Sequence, residues 1–543
     1  MSSVTTAAAV LDVLAQAGVT TAFGLPGVHN LALWQAQDDG RPRIVGVRHE
    51  QTTGYAADGL ARATGGLGVA LTTTGPGAAN AVAAFGEAAA SQSPLLLIAS
   101  DVPQRLRRPG VVRGLLHESR DQAALFEPLA KAVYRPTTPI AAVEAVARAT
   151  ALAMTAPRGP VYVGIPSDVL CEPIPDGWTP PAPHPAAPTA PDPADVDAAL
   201  QLLNAADSVV VWAGGGAVSS GAAEAVTELA WRLGAPVVTT FGARGLLPAG
   251  HALLVDAPPH EPDVAALIGS ADLLVVVGSD LDGMDTRNWS TPFPTRTIAI
   301  NVDPADAVKN HPADVVIAAD ARLACDALAV RLPQRTPWAD AVFLMGPTIR
   351  QRVAEDPRTA DAAALLESVE SGWPAAGNVV CDMAVAGYWV GGYAAMSRPR
   401  RLQYPVGWGT LGYALPAAVG AAHAGAPVLA ICGDGGLAMA LGELATLVQE
   451  RLPVTVLLVD DGGYGMLRFD QRAAARQQGV DLVGPDWAAL GAAFGLSVVT
   501  VGSPGEPLRA ALAEAAAAGG PRLVVLPAAL YPPRTTSPRW GDT

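Results

Sequence analysis

The sequence predicts an α/β protein of three parallel-sheet domains, and three observations carry that reading. Short β-branched runs alternate with Ala-rich stretches of helical apolar spacing, the pattern of repeated β-α-β units. The apolar runs are bounded by Gly or Pro and separated by helices, which suits strands buried on both faces of a parallel sheet. The chain of 543 residues is several times the roughly 100 to 200 residues of one domain, and two proline-rich breaks divide it.

In chain order, strands are expected at 43–47, 68–73 and 95–99, then at 208–212, 273–277 and 297–302, and finally at 428–432 and 454–460. Pro173, Pro175, Pro180, Pro181, Pro183, Pro185, Pro188, Pro191 and Pro193 crowd the segment 172–194. So many prolines hold neither a helix nor a central strand, so this segment reads as a linker. Pro333, Pro337, Pro347 and Pro357 mark a weaker break over 332–361. The predicted domains are residues 1–172, 195–331 and 358–543.

Composition narrows the function classes. Half of the residues are apolar and 16% are charged, which supplies core material and excludes wholesale disorder. The 35 basic and 50 acidic residues leave a net charge of −15, which repels a phosphate backbone. The Arg-rich run from Arg105 to Arg120 is interrupted by Glu118 and followed by Asp121, so it reads as a loop and helix edge, and no nucleic-acid partner is expected. Cys171, Cys325, Cys381 and Cys432 are too far apart for a paired zinc motif or a disulfide framework. Reduced thiols and a cytoplasmic location are expected. Asp12 interrupts the first apolar stretch, and no window approaches the roughly 20 apolar residues of a membrane span. A soluble protein with no membrane partner is expected.

The C-terminal third carries the first chemical constellation. Residues 427–432 read as a strand running into Gly433, Asp434, Gly435 and Gly436; a helical pattern covers 437–452, Pro453 stops it, and the strand 454–460 follows. In a β-α-β unit both strands open their carboxyl ends on one edge, where open α/β sheets bind ligands. Asp434 and Asp461 stand just beyond those ends, so two carboxylates are brought together. The glycines let the backbone approach a phosphate, and the amides opening the next helix favour an anion. Hard oxygen ligands beside an anion site suit magnesium bridging protein to a diphosphate. The plainer alternative is a tight strand-to-helix turn capped by Asp434; the second acid, followed by Gly462 and Gly463, favours the metal reading.

The N-terminal third carries the second. Residues 43–48 read as a strand, with Glu50 at its end ahead of a helix over about 52–63. A lone Glu at a helix start is usually only favourable electrostatics with the macrodipole. Here FGLPGVHN at 23–30 and TTTGPGAAN at 72–80 place further glycines and prolines at strand ends on what would be the same edge.

GDGG at 433–436 followed by VDDGGYGML at 459–467, with RHEQTTGYAADGLARATG at 48–65 and VGWGTLGYALPAAVGA at 406–421, resembles the thiamine-diphosphate-dependent enzymes over nearly the whole chain. The resemblance implies, in order, a pyrimidine-binding, a middle and a diphosphate-binding domain. It implies a magnesium ion held by Asp434, Asp461 and the carbonyl of Gly463, and thiamine diphosphate bound by Gly433, Gly435, Gly436, Tyr464, Gly465 and Met466. By position, Gly409 offers a carbonyl to the aminopyrimidine and Leu411 is the apolar wedge between the cofactor's rings, against the plain reading of a core leucine. The catalytic glutamate falls on Glu50, whose carboxyl favours the imino tautomer of the cofactor's pyrimidine. The family usually has two asparagines where this chain has Asp460 and Asp461, which adds negative charge beside a diphosphate.

His117, in LLHESRDQ, aligns with a polar residue facing the active site in the acetohydroxyacid synthase branch. His29, in PGVHN, is a second candidate for the pocket, and Asp101 and Gln122 are further ones; for each histidine a surface or satisfied-core role is the alternative. In the middle domain, Gly214, Gly215 and Gly216 follow a strand, but Ser219 stands where a third glycine of a dinucleotide fingerprint would fall. GSDLDGMDTR at 278–287 replaces the arginine-bearing loop of flavin-binding relatives, so FAD is not expected.

Acetolactate synthase large subunits and aryl 2-oxo acid decarboxylases such as benzoylformate decarboxylase are the nearest resemblances. They imply an enzyme that decarboxylates a small-molecule 2-oxo acid and passes the resulting carbanion to a second carbonyl or to a proton. TTTGPGAAN resembles the synthase branch and favours an acetolactate-synthase-like carboligase, the first expectation. GYGMLRFDQ lacks the tryptophan of the synthases and favours simple decarboxylation, the second expectation. A non-catalytic thiamine-diphosphate-binding protein is the third. In the family Glu50 and the diphosphate site come from different subunits, which implies a homodimer or homotetramer.

Overall fold

A computed structural model describes residues 4–473 and 476–533. Each third of the chain forms one six-stranded sheet, and every strand pair is parallel. The N-terminal sheet runs Arg43–Gly46, Thr21–Gly24, Gly68–Thr72, Leu95–Asp101, Val161–Pro166, Ala132–Tyr134. The C-terminal sheet repeats that order with Leu402–Gln403, Asn378–Cys381, Val428–Gly433, Val454–Asp460, Arg522–Pro527, Ser497–Thr500. The middle sheet is ordered Val315–Ile317, Arg296–Ile300, Leu273–Val277, Val209–Ala213, Val237–Thr239, Leu254–Val255, the doubly wound order of nucleotide-binding folds. Among the described residues no helix is long and apolar enough to cross a membrane.

The expected strands are all present within a residue or two. Further strands, outside those expected, complete the sheets: short ones such as Thr21–Gly24 and Ala132–Tyr134, and two six-residue interior strands, Val161–Pro166 and Arg522–Pro527. Two helices depart from expectation. The helix expected over about 52–63 begins at Glu50 and ends at Thr64, capped by His49, whose Nδ1 accepts the Gln51 N–H at 3.2 Å, and closed by Gly65 at φ 74°. The single helix expected over 437–452 is two, Asp434–Ala438 and Glu443–Glu450. The intervening turn brings Gly442 so close to Arg48 that a Cβ there would lie 3.2 Å from the arginine's own Cβ.

The C-terminal sheet lies between the other two domains. Val428, Ala430, Cys432, Val454, Val456 and Leu458 pack in one core with the N-terminal domain, while Leu429, Ile431, Leu457 and Val459 pack in another with the middle domain. The period of two along a strand thus assigns alternate residues to different partners, which explains the unbroken apolar runs.

The N-terminal and C-terminal domains meet where the Glu50–Thr64 helix crosses the Ala414–Ala421 helix. A Cβ on Gly59 would stand 2.1 Å from the Ala417 carbonyl oxygen, and one on Gly420 would stand 1.7 Å from that of Ala56. Gly420→Ala is therefore expected to cost at least the roughly 1 to 3 kcal/mol of ordinary overpacking, because rigid backbone stands in the way. Gly502→Ala, exposed and with nothing within 4 Å, should leave stability within about 0.5 kcal/mol. Thermal unfolding compares them; equal melting temperatures would show that the crossing has slack.

Candidate active site

The register that pairs Gly433 with Val459 brings Asp434 and Asp461 together past the ends of two neighbouring strands. Asp434 is 2% exposed. Both of its carboxylate oxygens and Asp461 Oδ1 are buried without a hydrogen-bond partner. Burial, then the charge of Asp460, raises the Asp434 carboxyl above its ordinary range; burial, then the charge of Asp434, pushes Asp461 up to about 6. Buried carboxylate oxygens are costly unless something positive meets them, so the pair fits a cation. Among the described residues no three acid, His or Cys side chains converge, so the remaining ligand oxygens of a cation here must come from backbone, phosphate or water.

Beside the pair lies a cavity of about 210 Å³. Every C-terminal residue expected to touch a cofactor lines it: Gly409, Leu411, Gly433, Asp434, Gly435, Gly436, Asp461, Gly463, Tyr464, Gly465 and Met466. The cradle needs glycine, since a Cβ on Gly435 would meet the Tyr464 ring at 2.5 Å and one on Gly436 would meet Asp382 at 2.6 Å. Leu411 is 38% exposed, so it is not a core leucine. Gly409 sits at φ 77°, a conformation that favours glycine. Asp460 has a structural task, accepting the Gly462 N–H at 3.1 Å.

Two contributors were not legible in the sequence. Asp382, also lining the cavity, ends the strand Asn378–Cys381. Its carboxylate accepts the Gly412 N–H at 3.0 and 3.1 Å and the Met383 N–H at 2.9 Å, which ties the loop carrying Gly409 and Leu411 to the glycine turn. Burial pushes Asp382 up to about 6. Arg468 donates to the carbonyls of Asp461 at 3.1 Å and Gly462 at 3.0 Å and to Asp481 Oδ1 at 2.9 Å. An apolar run ending in Asp, VVCD beside ICGD and LVDD, was the available signal for Asp382.

The second constellation gathers on the carboxyl edge of the N-terminal sheet. Asn80 Nδ2 donates to Glu50 Oε2 at 2.9 Å, and a Cβ on Gly77 would stand 3.3 Å from Glu50 Oε1, so the TTTGPGAAN segment frames the glutamate. His29 and His117 meet edge to face with ring centroids 5.6 Å apart, and each has a buried Nδ1 without a partner. His117 sits at φ 63° and packs on Gly75, where a Cβ would lie 2.5 Å from its carbonyl oxygen. Burial, then His117, lowers His29 below the usual histidine range. Asp101 is paired with Arg107. Gln122 is buried and bridges Ser100 O, Tyr162 Oη and the Gly75 N–H at 3.0, 2.8 and 2.6 Å, so it holds the Gly75 turn.

Glu50, His29 and His117 line no part of the cavity, whose residues all fall between Asp382 and Leu530. In the middle domain Gly214 and Gly216 pack on a neighbouring loop, where Cβ atoms would meet Gly278 at 2.4 and 2.8 Å. Close packing accounts for those glycines without a phosphate.

The shared strand order of the N-terminal and C-terminal sheets, the buried acid pair over a glycine cradle and the separate glutamate helix define a thiamine-diphosphate enzyme. The chain belongs to the thiamine pyrophosphate enzyme family. It matches the N-terminal TPP binding domain over residues 4–125, the central domain over 196–328 and the C-terminal TPP binding domain over 382–526. It is 36% identical over 512 residues to the Pseudomonas aeruginosa protein named Probable 2-ketoarginine decarboxylase AruI, covering 91% of this chain and 89% of that one. It is 32% identical over 519 residues to the Mycobacterium tuberculosis acetolactate synthase large subunit IlvB1, covering 91% and 83%. An X-ray structure from Mycobacterium smegmatis, put forward as a thiamin diphosphate-dependent enzyme, superposes with a TM-score of 0.82 at 25% identity, covering 97% of this chain and 99% of that one.

Asp434→Ala is expected to abolish magnesium-dependent binding of thiamine diphosphate in titration calorimetry; unchanged affinity in that variant, or in chelator, removes the acid pair from the site. Asp461→Asn keeps an oxygen and removes a charge, so equal or tighter binding is expected. Loss of binding in the folded variant would show that the carboxylate itself is required.

Proposed function

We propose that the protein binds thiamine diphosphate with Mg2+ and decarboxylates a small-molecule 2-oxo acid, releasing an aldehyde. The observation that carries the cofactor site is the set of unpartnered buried oxygens on Asp434 and Asp461 beside a cavity that needs glycine walls. Bound, the cofactor supplies the carbon nucleophile and electron sink for the reaction. Asp434, Asp461 and the Gly463 carbonyl hold the metal, and the turn from Gly433 to Gly436, with Tyr464, Gly465 and Met466, cradles the diphosphate. Gly409 and Leu411 orient the rings. Glu50 moves a proton at its carboxyl oxygens, and His29 and His117 serve as proton carriers at the substrate end. The half-site of Glu50 and that of Asp434 belong to complete sites only between subunits, in a cytoplasmic homodimer or homotetramer; the absence of Glu50 from its own chain's cavity supports this. The domain limits proposed are 1–172, 195–331 and 358–543.

The decarboxylase reading draws on the 36% identity to a protein named for that activity, against 29 to 32% for the acetolactate synthases compared, and on GYGMLRFDQ. Carboligation is the second reading, supported by TTTGPGAAN and by those synthases. Purified protein with thiamine diphosphate, magnesium and a panel of 2-oxo acids, including one with a terminal guanidinium, tests both through carbon dioxide release and product mass. An aldehyde supports the first reading and a hydroxyketo acid the second, while no carbon dioxide from any substrate leaves a cofactor-binding protein.

Glu50→Gln separates enzyme from binder. A helix-end role is worth roughly 0.3 to 1 kcal/mol of stability, whereas loss of proton transfer costs about 100-fold to 10,000-fold in rate. Unchanged cofactor affinity with C2 proton exchange slowed by that factor, followed by NMR, is expected. Exchange as fast as in the parent removes Glu50 from the mechanism.

A further inference from the structure

The two half-sites of one chain are joined by a buried acid that the proposed reaction leaves unused. Glu443 opens the helix Glu443–Glu450, a few residues past the glycine cradle, and is 1% exposed. Its carboxylate crosses from the C-terminal to the N-terminal domain and accepts two consecutive backbone N–H groups, those of Arg48 at 3.0 Å and His49 at 3.1 Å. These are the two residues immediately ahead of Glu50. The Thr446 hydroxyl donates to Oε2 at 2.6 Å and fixes the carboxylate's rotation. Arg48 Nη2 donates to Gln449 Oε1 at 2.6 Å on the same helix, and Gly442 abuts the Arg48 side chain.

A buried carboxylate is costly unless its lone pairs are met, and here protein donors meet them. The two backbone donors have no partner in their own domain's sheet, because the strand ahead of them ends at Gly46 and the helix begins at Glu50. Without Glu443 the junction from which the Glu50 side chain springs would have no such anchor.

We propose that Glu443 is the positioning residue for Glu50: by receiving the Arg48 and His49 N–H groups it fixes where the Glu50 carboxyl stands, and it ties that position to the diphosphate-binding segment of the same chain. The proposal rests on the role given to Glu50 above. Reach is what matters in it, and charge is secondary. Glu443→Gln keeps the reach and one accepting oxygen, whereas Glu443→Asp keeps the charge and falls one methylene short.

Two measurements on the full chain test this. In cofactor-free protein, amide hydrogen exchange over residues 43–55 is expected to rise about tenfold or more at Arg48 and His49 in Glu443→Asp and Glu443→Ala and to stay near the parent in Glu443→Gln, the scale of a lost hydrogen bond to a charged group. In protein loaded with thiamine diphosphate and magnesium, C2 proton exchange is expected to fall by a comparable factor in the Asp and Ala variants and not in Gln, with cofactor affinity nearly unchanged in all three. If the Ala variant does not fold, the Asp and Gln pair decides. Unchanged amide exchange in Glu443→Asp overturns the proposal, and so does faster amide exchange with unchanged C2 exchange. A parent that shows no C2 exchange overturns instead the reading of Glu50, and the cofactor-free measurement tells the two failures apart.

Discussion

The backbone contact between the Glu50–Thr64 and Ala414–Ala421 helices sets the geometry of everything around it. Interhelical packing normally separates axes by about 8 to 10 Å with side chains between them. Here Gly59 faces the Ala417 carbonyl and Gly420 faces the Ala56 carbonyl, with no room for a methyl group on either glycine. The next strand is drawn in as well, since a Cβ on Gly68 would lie 2.1 Å from the Ala57 carbonyl oxygen. Such an approach buries charge that must be answered locally. Arg62 meets Asp58 at 2.8 Å and Glu87 at 3.0 Å, and Tyr413 from the other domain donates to Asp58 at 2.8 Å. Removing one member of a buried group like this leaves an uncompensated charge, which costs far more than the intact group contributes. The two domains are therefore fixed to each other, and the carboxyl edges of their sheets are fixed with them.

That fixed joint explains why Glu50 and the acid pair stay apart within one chain. The glutamate helix is consumed along its length by contact with its own chain's C-terminal domain, and Glu50 emerges at its start, away from the cavity holding Asp434 and Asp461. The cavity in turn is walled by its own domain, with Asp382 holding the loop of Gly409 and Leu411 against the glycine turn. Both regions are held by contacts that need no ligand, and in each some buried polar atoms stay unmet: the oxygens of the acid pair in one, the Nδ1 atoms of His29 and His117 in the other. Three unmet carboxylate oxygens side by side at the mouth of a cavity mark where the protein's own contacts stop and a ligand's begin.

The parts of this arrangement legible in the sequence are those where one local segment does one job. GDGG and VDDGG each sit on a long central strand, so periodicity and glycine punctuation placed Asp434 and Asp461 together. RHEQ on the strand–helix junction placed Glu50. Asp382 was missed because its strand, Asn378–Cys381, is short and its role lies in reaching Gly412, a contact that no spacing announces. Glu443 was hidden inside one apparent helical period, and its partners, the N–H groups of Arg48 and His49, lie almost 400 residues earlier. The middle-domain glycines were visible, but their packing against Gly278 was not, since close approach between loops leaves the same composition as a phosphate turn.

The two aspartates at 460 and 461 show how a departure from a family pattern can be absorbed by neighbours. Asp460 uses a single oxygen, toward the Gly462 N–H, a task an asparagine oxygen performs equally, so its charge is incidental to the turn. Asp461 is different, because burial first, and then the charge of Asp434, pushes it toward protonation. Arg468 stands against that tendency. Its guanidinium is held by two loop carbonyls and by Asp481, with Nη1 3.9 Å from Asp461 Oδ1. At that distance and partial exposure it is not a strong ion pair, yet it sets a positive charge near the acid's Oδ1 and leaves that oxygen without a hydrogen-bond partner. Asp481, exposed, accepts from the guanidinium's Nε at 2.9 Å. The carboxylate thus stays poised between two positive demands, one built into the chain and one that only a bound cation meets.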